Sequence, residues 1–516
     1  MPSTASFWIK LSLAAALIAL ADTLLYMRPP GANLGVFGFA VIAAALAALP
    51  PLLRTPLSRL AVAAALALAA LQVERATILG WFLFCLAIGV AVLAPRARQG
   101  DDAWRWFQRL VMAALKAVIG PLRDLDLLLK ARARRRTLRV TALIAAAILP
   151  IGGGLVFLAL FTAANPVISQ AFDQFHLAPL DFARLIFWGA VGGAAWAVLR
   201  PRGLRATLAA PKWVGGAGLP GVTAASVTAS LLVFNLVFAL QNGLDIAFLW
   251  SGAPLPKGVT LADYVHRGAY PLIVTALLAG LFVLVFLRPG SPTAARPWPR
   301  ILVTAWVGQN LLLVASTALR TVRYVEVYSL TRLRIAALIW MALVAVGLAL
   351  ICWRLLRGKS GRWLINANVL AAGVVLAACS VLDLGAIAAS WNVAHAREVG
   401  GGGEGLDLCY LSKLHGDAVV PLAELERRPL MPDFRDRVTS VRQRLTAELA
   451  ARQSSWRSWR WRDARRLERV RGLVGRDDPE GGDWLGDENP CRPSVRPAPD
   501  SEPPPARLTA PSQPRT

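Results

Sequence analysis

The chain has 516 residues, of which 56% are hydrophobic and only 17% are charged, and its mean hydropathy is +0.51. A soluble protein carries about 25% charged residues, so this composition excludes an ordinary soluble globular protein. Because the apolar residues are concentrated in long blocks, they predict a protein that crosses a bilayer many times.

The net charge of +25 is unevenly distributed along the chain. Up to Ser390 there are 35 Lys and Arg against 12 Asp and Glu, whereas from Trp391 onward the numbers are 21 and 19. The excess therefore belongs to the short connections between apolar runs, where positive charge sets the orientation of membrane proteins. This distribution argues against a nucleic acid as a partner.

The five cysteines give no sign of a metal centre. Cys85, Cys352 and Cys379 lie inside apolar runs, where cysteine packs as a small hydrophobic residue. Cys409 and Cys491 could pair, although their spacing does not require it. No Cys/His group has the spacing of a zinc site, and the sequence predicts no cofactor.

About eleven apolar runs have nearly the length that crosses a bilayer. The first, 11–27, also suits a signal peptide, but its length, Asp22 and the runs that follow favour a membrane helix. The other spans are predicted near 34–53, 60–73, 77–94, 137–163, 182–199, 224–250, 269–287, 301–319, 333–356 and 363–387. The predicted fold is an all-α polytopic transmembrane helix bundle.

The chain divides by composition into membrane segments and polar segments. The two polar segments at the C-terminus are predicted to be a small helical extramembrane domain and a disordered, Pro-rich tail. The predicted boundaries are 1–94 for the N-terminal spans, 95–136 for a basic segment, 137–390 for the core bundle, 391–472 for the extramembrane domain and 473–516 for the tail.

The basic segment 95–136 sets the predicted orientation, because it carries the largest group of Lys and Arg between spans. It is assigned to the cytoplasm, which places the N-terminus inside and the C-terminal domain in the periplasm. Aromatic and aliphatic residues between Trp104 and Leu115 indicate an amphipathic helix, either on the inner membrane surface or packed under the bundle.

A polar stretch from Arg320 to Arg334 separates two apolar runs near the predicted outer boundary. Guanidinium groups beside tyrosine hydroxyls are suited to holding a carboxylate or a phosphate. The alternative is a helix that extends past the bilayer, with arginines reaching lipid phosphates and tyrosines in the aromatic belt. The predicted ligand face consists of Arg320, Arg323, Tyr324, Glu326, Tyr328, Thr331, Arg332 and Arg334.

A second set of polar residues lies in or near the apolar runs: Gln241, Asn242, Asp245, His266, Gln309, Asn310 and Asp383. A charge in the bilayer costs about 2.5–3.5 kcal/mol or more, so such residues usually face the bundle interior. Proton or cation coupling is the functional interpretation, and hydrogen bonds between helices are the structural one. Asp245 with His266 is the one pair that could serve acid–base chemistry in an intramembrane transferase.

The sequence lacks the common catalytic motifs, including HExxH, Walker A and Gly-x-Ser-x-Gly. The stretch Gly216–Gly221 formally matches the dinucleotide fingerprint, but no strand precedes it and Pro220 interrupts it. These observations leave an enzymatic activity uncertain and argue rather against one.

Six phrases occur in a distinctive order: Gln241–Asp245, His266–Pro271, Tyr324–Arg334, Trp363–Asn368, Asn392–His395 and Leu406–Leu411. Over residues 140–425, the chain resembles the bacterial multi-pass membrane proteins of domain-of-unknown-function family 4173. The resemblance implies a protein of the bacterial cytoplasmic membrane. It implies no catalytic residue.

Two functions remain open at this stage. The first is binding or transport of an anionic or lipid-like ligand at the predicted ligand face, with membrane lipids as partners. The second is a membrane-anchored interaction or signalling scaffold, which would bind a protein partner through its C-terminal domain.

Overall fold

The computed structural model describes residues 4–97, 100–133, 154, 181–202, 223–251, 297–402 and 405–475. Within these ranges every regular element is helical, which confirms the predicted all-α class. The α-helices are α1 (Thr4–Leu24), α2 (Ala32–Ala48), α3 (Pro56–Glu74), α4 (Ile78–Leu93), α5 (Ala103–Ala133), α6 (Phe182–Leu199), α7 (Ala224–Asp245), α8 (Pro297–Tyr328), α9 (Arg332–Arg357), α10 (Gly361–Val381), α11 (Leu384–His395), α12 (Leu408–Lys413), α13 (Val419–Glu426), α14 (Pro432–Gln453) and α15 (Trp461–Val474).

Eight of the described helices are long and apolar enough to cross a membrane, namely α1, α3, α4 and α6–α10. Helix α2 is also apolar but has only 17 residues. The predicted spans near 137–163 and 269–287 lie outside the described residues. The prediction of a multi-pass membrane protein is therefore confirmed.

Two predicted spans end earlier than expected. Helix α2 stops at Ala48, because Pro50 and Pro51 cannot continue an α-helix. The predicted span 363–387 is broken, because α10 ends at Val381 and the Asp383 carboxylate accepts a hydrogen bond from the backbone N–H of Ala386 (3.1 Å) to begin α11.

The membrane helices form two packed groups. Helices α1–α4 and α6 share one apolar core, and α7–α10 share another. In the second core the Trp306 ring lies 5.2 Å from the Phe234 ring and 5.7 Å from the Phe238 ring. Helix α10 also packs against α4 and α5, so the two groups are joined side by side.

Helix α5 packs against α6, α4 and α10 at one end of the bundle. Trp106 and Leu110 pack against the first core, whereas Phe107 and Leu115 on the opposite side are exposed. The buried Asp124 carboxylate accepts a hydrogen bond from the Trp196 indole (2.9 Å). We call this the basic end, and it also carries the connections 49–55, 94–102, 200–202 and 358–360.

The C-terminal helices α12–α15 form a small domain with its own apolar core (residues 405–475, the C-terminal domain). Leu411, Leu422 and Leu425 are completely buried there, and each buried leucine contributes about 1.5–3 kcal/mol of hydrophobic stabilisation. Ala389 and Val393 of α11 belong to the same core and thereby attach the domain to the bundle.

Cys409 in the C-terminal domain is disulfide-bonded, whereas Cys85, Cys352 and Cys379 are free. Cys491, which the sequence names as a possible partner, lies outside the described residues. Disulfides persist mainly in oxidising compartments.

The C-terminal domain docks on the bundle end that carries the α1–α2 connection, which we call the domain end. Backbone N–H of Ala32 donates to the carbonyl of Trp459 (2.8 Å), and Arg460 donates to the carbonyl of Pro30 (2.8 Å). Asn392 exchanges two hydrogen bonds with the backbone of Leu330 (2.6 and 2.9 Å). The first two bonds attach the C-terminal domain to the backbone of the α1–α2 connection, and the Asn392 bonds tie α11 to the α8–α9 connection.

Replacing Gly385 by Ala tests how closely this docking is packed. An added Cβ would overlap the carboxylate of Asp417 and the guanidinium of Arg332, and overpacking of this kind costs about 1–3 kcal/mol. We expect the Gly385→Ala variant to melt at a lower temperature and to release the C-terminal domain to trypsin more readily than the parent.

The matched control is Gly373→Ala in α10, because nothing lies within 4 Å of an added Cβ there. Equal melting temperatures and equal proteolysis for the two variants would contradict the close packing at Gly385.

Candidate functional site

The predicted ligand face lies at the domain end, where α8 ends and α9 begins. Helix α8 has 32 residues, so it is about 48 Å long and exceeds the roughly 30 Å hydrocarbon core of a bilayer. At least one end of α8 therefore extends beyond the hydrocarbon core. After Tyr328, Ser329 takes the left-handed conformation (φ 69°), and the Thr331 hydroxyl accepts a hydrogen bond from Arg334 N–H (3.3 Å) to begin α9.

Arg334 closes the end of α8. Its guanidinium donates to the backbone carbonyls of Tyr328 (2.6 Å) and Ser329 and lies 4.5 Å from the centre of the Tyr324 ring. The rings of Tyr324 and Tyr328 are stacked, 4.5 Å apart. A cation at the C-terminus of a helix is favourable, so this charge is fixed in place by the helix end.

Two residues of the ligand face point outward. The side chains of Arg323 and Glu326 are 55% and 52% exposed, and their charged groups are 3.4 Å apart. An exposed ion pair of this kind contributes about 1 kcal/mol or less. Glu326 therefore does not prevent Arg323 from binding another anion.

Two other arginines of the ligand face pair with carboxylates of the chain itself. Arg320 donates to Asp245, and the exposed fractions of these side chains are only 4% and 0%. Arg332 binds Asp417 in the C-terminal domain. Both guanidiniums thus hold protein elements together.

The Arg320–Asp245 pair joins α8 to α7. The Asp245 carboxylate also accepts a hydrogen bond from the Gln241 side chain (3.0 Å). Side chains on a helix point toward its N-terminus, so Arg320 reaches back along α8 toward the membrane interior. A buried charge needs such a partner, because an uncompensated one is strongly destabilising.

Further polar side chains line the same contact between α7 and α8. We call this set the polar seam, and it consists of Asn235, Gln241, Asn242, Asp245, Gln309, Ser316 and Arg320, together with the buried Asn310 that follows Gln309 on α8. The Gln309 amide donates to the Asn235 side chain (2.9 Å), and the Asn242 amide donates to the carbonyl of Gln309 (3.1 Å). Five of the seven residues predicted as intramembrane polar groups therefore come together here.

Some members of the seam were not anticipated from the sequence. Asn235 donates to the carbonyl of Leu302 (3.0 Å), and the Trp250 indole donates to Ser316 (3.0 Å). Asn235 and Asn242 are seven residues apart, as are Leu302 and Gln309, so α7 and α8 run parallel in register. Polar residues at this spacing inside two apolar runs are the signal that could have revealed the seam.

Asp383 lies outside the seam, in a group of charges at the domain end. Its carboxylate is 3.6 Å from Arg75 and also binds Arg466 of α15. Arg466 in turn lies 2.9 Å from Asp417, which binds Arg332. We call Arg75, Arg332, Asp383, Asp417 and Arg466 the ion-pair cluster, and it links α3, α9 and α11 to the C-terminal domain.

The ion-pair cluster lowers the pKa of Asp383. Burial by itself would raise the pKa of Asp383, but the charges of Arg466 and Arg75 outweigh it, and the pKa of Asp383 lies below its ordinary value. Asp383 is therefore a carboxylate at neutral pH and contributes its full charge to the docking.

A cleft of about 580 Å³ opens beside the ion-pair cluster, between α13, α15 and the ends of α3 and α11. Its charged lining residues carry both signs, so the cleft has no strong preference for an anion. They are Glu74, Asp417, Glu424, Arg462, Arg465, Arg466, Glu468 and Arg469.

The structure does not test the acid–base pair of Asp245 and His266 that the sequence suggested. His266 lies outside the described residues, so its distance from Asp245 is not defined. In the part of the chain that the structure describes, no group of three or more His, Cys, Asp or Glu could hold a metal ion.

Comparison with known proteins gives one match. A family model described as a domain of unknown function, DUF4153, matches residues 60–425, well over half of the chain. The resemblance to family 4173 is not confirmed, because the model that matches is that of family 4153. No curated protein and no solved structure matches the chain.

The lowered pKa of Asp383 predicts how the docking depends on pH. A carboxylate whose folded pKa is lowered adds stability above its unfolded pKa, about 3.9, and loses it as the pH falls through the lower folded value. We expect the attachment of the C-terminal domain to be unchanged from pH 7 to about pH 4 and to weaken below it, as measured by limited proteolysis or thermal melting.

An Asp383→Asn variant supplies the comparison. It should be less stable than the parent at pH 7 and should lose less stability between neutral and acidic pH. If parent and variant respond identically to acid, Asp383 does not contribute in this way.

Proposed function

The chain belongs to the DUF4153 family. We propose that it is a bacterial inner-membrane protein that binds an anionic lipid-like ligand at the periplasmic face of that membrane. The observation that carries this proposal is the exposed Arg323 near the end of α8, the helix on which the rings of Tyr324 and Tyr328 stack on each other. We assign this position to the level of lipid headgroups, because α8 is longer than the hydrocarbon core and ends here.

The chemistry of this part of the ligand face suits a phosphate. The Arg323 guanidinium can donate two parallel hydrogen bonds to phosphate oxygens, and the tyrosine rings suit the membrane interface. Arg334 adds a second positive charge in a fixed position. The negative charge of Glu326 opposes the positive charges of Arg323 and Arg334, so it lowers the affinity of the site for an anion.

We further propose that the basic end faces the cytoplasm and the C-terminal domain faces the periplasm. The arginine-rich connections support this orientation through the positive-inside bias. The disulfide at Cys409 supports it independently, because the periplasm is oxidising and the cytoplasm is not.

A membrane-anchored interaction scaffold is the second candidate. It is favoured by the ion-pair cluster, which holds the C-terminal domain in one position beside an open cleft. A scaffold of this kind would present the cleft to a protein partner in the periplasm, and it would retain the same lipids whatever residue stands at position 323.

Neutral variants of the exposed pair test the lipid site. Arg323→Gln removes a charge-assisted hydrogen bond worth about 1.5–3 kcal/mol, so we expect retention of phosphatidylglycerol by the purified protein to fall about tenfold or more. Glu326→Gln removes the opposing charge and should increase retention. Lipid bound per protein is measured by native mass spectrometry after detergent exchange.

Arg357→Gln is the matched control, because Arg357 lies over the ring of Trp353 (4.8 Å) at the basic end and forms another arginine–aromatic pair at a membrane boundary. We expect it to leave phosphatidylglycerol retention unchanged. Equal retention by parent, Arg323→Gln and Glu326→Gln would overturn the lipid site and favour the scaffold.

The proposed orientation predicts where the disulfide at Cys409 can be reduced. A membrane-impermeant reductant added to intact spheroplasts should make Cys409 reactive toward a membrane-impermeant maleimide, because both reagents reach the periplasmic side. Mass spectrometry of the labelled peptides identifies the label on Cys409. Labelling of Cys409 only after lysis would place the C-terminal domain in the cytoplasm.

A further inference from the structure

We infer that the polar seam between α7 and α8 binds a small monovalent cation inside the membrane. This site is separate from the proposed lipid site, and neither depends on the other. The observation behind it is a set of side-chain oxygens, on Asn242, Gln309 and Asn310, that accept no hydrogen bond in the part of the chain that the structure describes.

The identity of these free atoms as oxygens follows from the bonds around them. The Asn310 amide nitrogen donates to the carbonyl of Trp306 (2.8 Å), and the Asn242 amide nitrogen donates to the carbonyl of Gln309 (3.1 Å). Since a carbonyl can only accept, each side-chain nitrogen is engaged and each free atom is the oxygen.

The same reasoning applies to Gln309. The amide nitrogen of Asn235 donates to the carbonyls of Leu231 (2.7 Å) and Leu302 (3.0 Å), so the Asn235 oxygen is an acceptor. Gln309 donates to that oxygen (2.9 Å), which leaves the Gln309 oxygen free. The open positions on Asn242, Gln309 and Asn310 are thus all acceptors.

The depth of these oxygens makes the open positions significant. Asn310 is thirteen residues from the start of α8, about 20 Å along the helix axis, and so lies within the hydrocarbon region. Asn310 is completely buried and Asn242 is 4% exposed. Buried polar groups are almost always satisfied, so these oxygens indicate a bound species that offers positive charge or donors.

The chemistry of the seam favours an alkali cation. An anion is excluded by three partly negative oxygens, and the described residues contain no group of thiolates, imidazoles or carboxylates that would select a transition metal. Neutral oxygen ligands replace the hydration shell of monovalent ions in channels and transporters.

The backbone of α7 supplies a second, independent observation. Directly after Asp245 the chain forms a π-helical turn over Ile246–Trp250. Such turns are rare and occur often at functional sites, and departures from regular helix near the seam are typical of ion sites in transporters.

Thermal melting of the purified full-length protein tests the inference. The protein is exchanged into N-methylglucamine chloride, and melting is then measured in NaCl, KCl and N-methylglucamine chloride at one ionic strength of about 0.15 M. A species that binds only the folded state raises the melting temperature in a saturable manner. We expect a saturable rise with Na⁺ or K⁺ above the value in N-methylglucamine. Identical melting in all three salts would overturn the inference and assign the oxygens to water.

Variants at position 310 locate the effect. Asn310→Leu should weaken the apparent cation affinity about tenfold or more, because loss of even an outer contact to a bound metal has this effect. Asn310→Asp keeps the oxygens and adds charge, so it should strengthen binding, and it preserves the test if the Leu variant fails to fold.

The matched control is Asn368→Leu in α10, because the Asn368 amide donates to the carbonyl of Leu364 (2.9 Å) in the same local arrangement, away from the seam. It should leave the cation response unchanged. If Asn310→Asp and Asn368→Leu both respond to cations as the parent does, the cation is bound elsewhere.

Discussion

The pairing of arginines such as Arg320 and Arg466 with carboxylates of the same chain determines how this structure is arranged. A charge removed from water is tolerated only when a partner and hydrogen bonds replace its solvation. Arg320 therefore holds α8 to Asp245 of α7, and Arg466 and Asp417 of the C-terminal domain bind Asp383 and Arg332 of the bundle. These pairs connect elements far apart in sequence, and they explain why a small polar domain is fixed to an apolar bundle.

This constraint divides the ligand face into two parts with different roles. Arg320 and Arg332 are neutralised by aspartates and hold the protein together. Arg334 is held by the backbone at the end of α8, so it can contribute charge but cannot move toward a ligand. Arg323 alone among these four arginines combines high exposure with a weak partner, which is why the proposed lipid contact centres on it.

The fold was largely predictable because its signals are local. Apolar runs of about 20 residues identify spans without any knowledge of neighbours, and errors arose only where a local signal was overlooked, such as Pro50 or the capping side chain of Asp383. The site was less predictable. The sequence showed the Arg320–Arg334 stretch, but Asp245 and Asp417, which bind two of its arginines, are separated from it by long connections. No spacing rule reveals such partners.

The Arg320–Asp245 pair also explains how the proposed lipid site and the proposed cation site can share α8. Arg320 reaches back along α8 toward the seam, and an unpaired guanidinium there would repel a cation, since such interactions are strong at low dielectric. Asp245 cancels that charge and, with Gln241, holds the arginine in place. The pair therefore separates the positive boundary at Arg323 and Arg334 from the oxygen-lined seam. Each site keeps the sign of charge that its ligand requires.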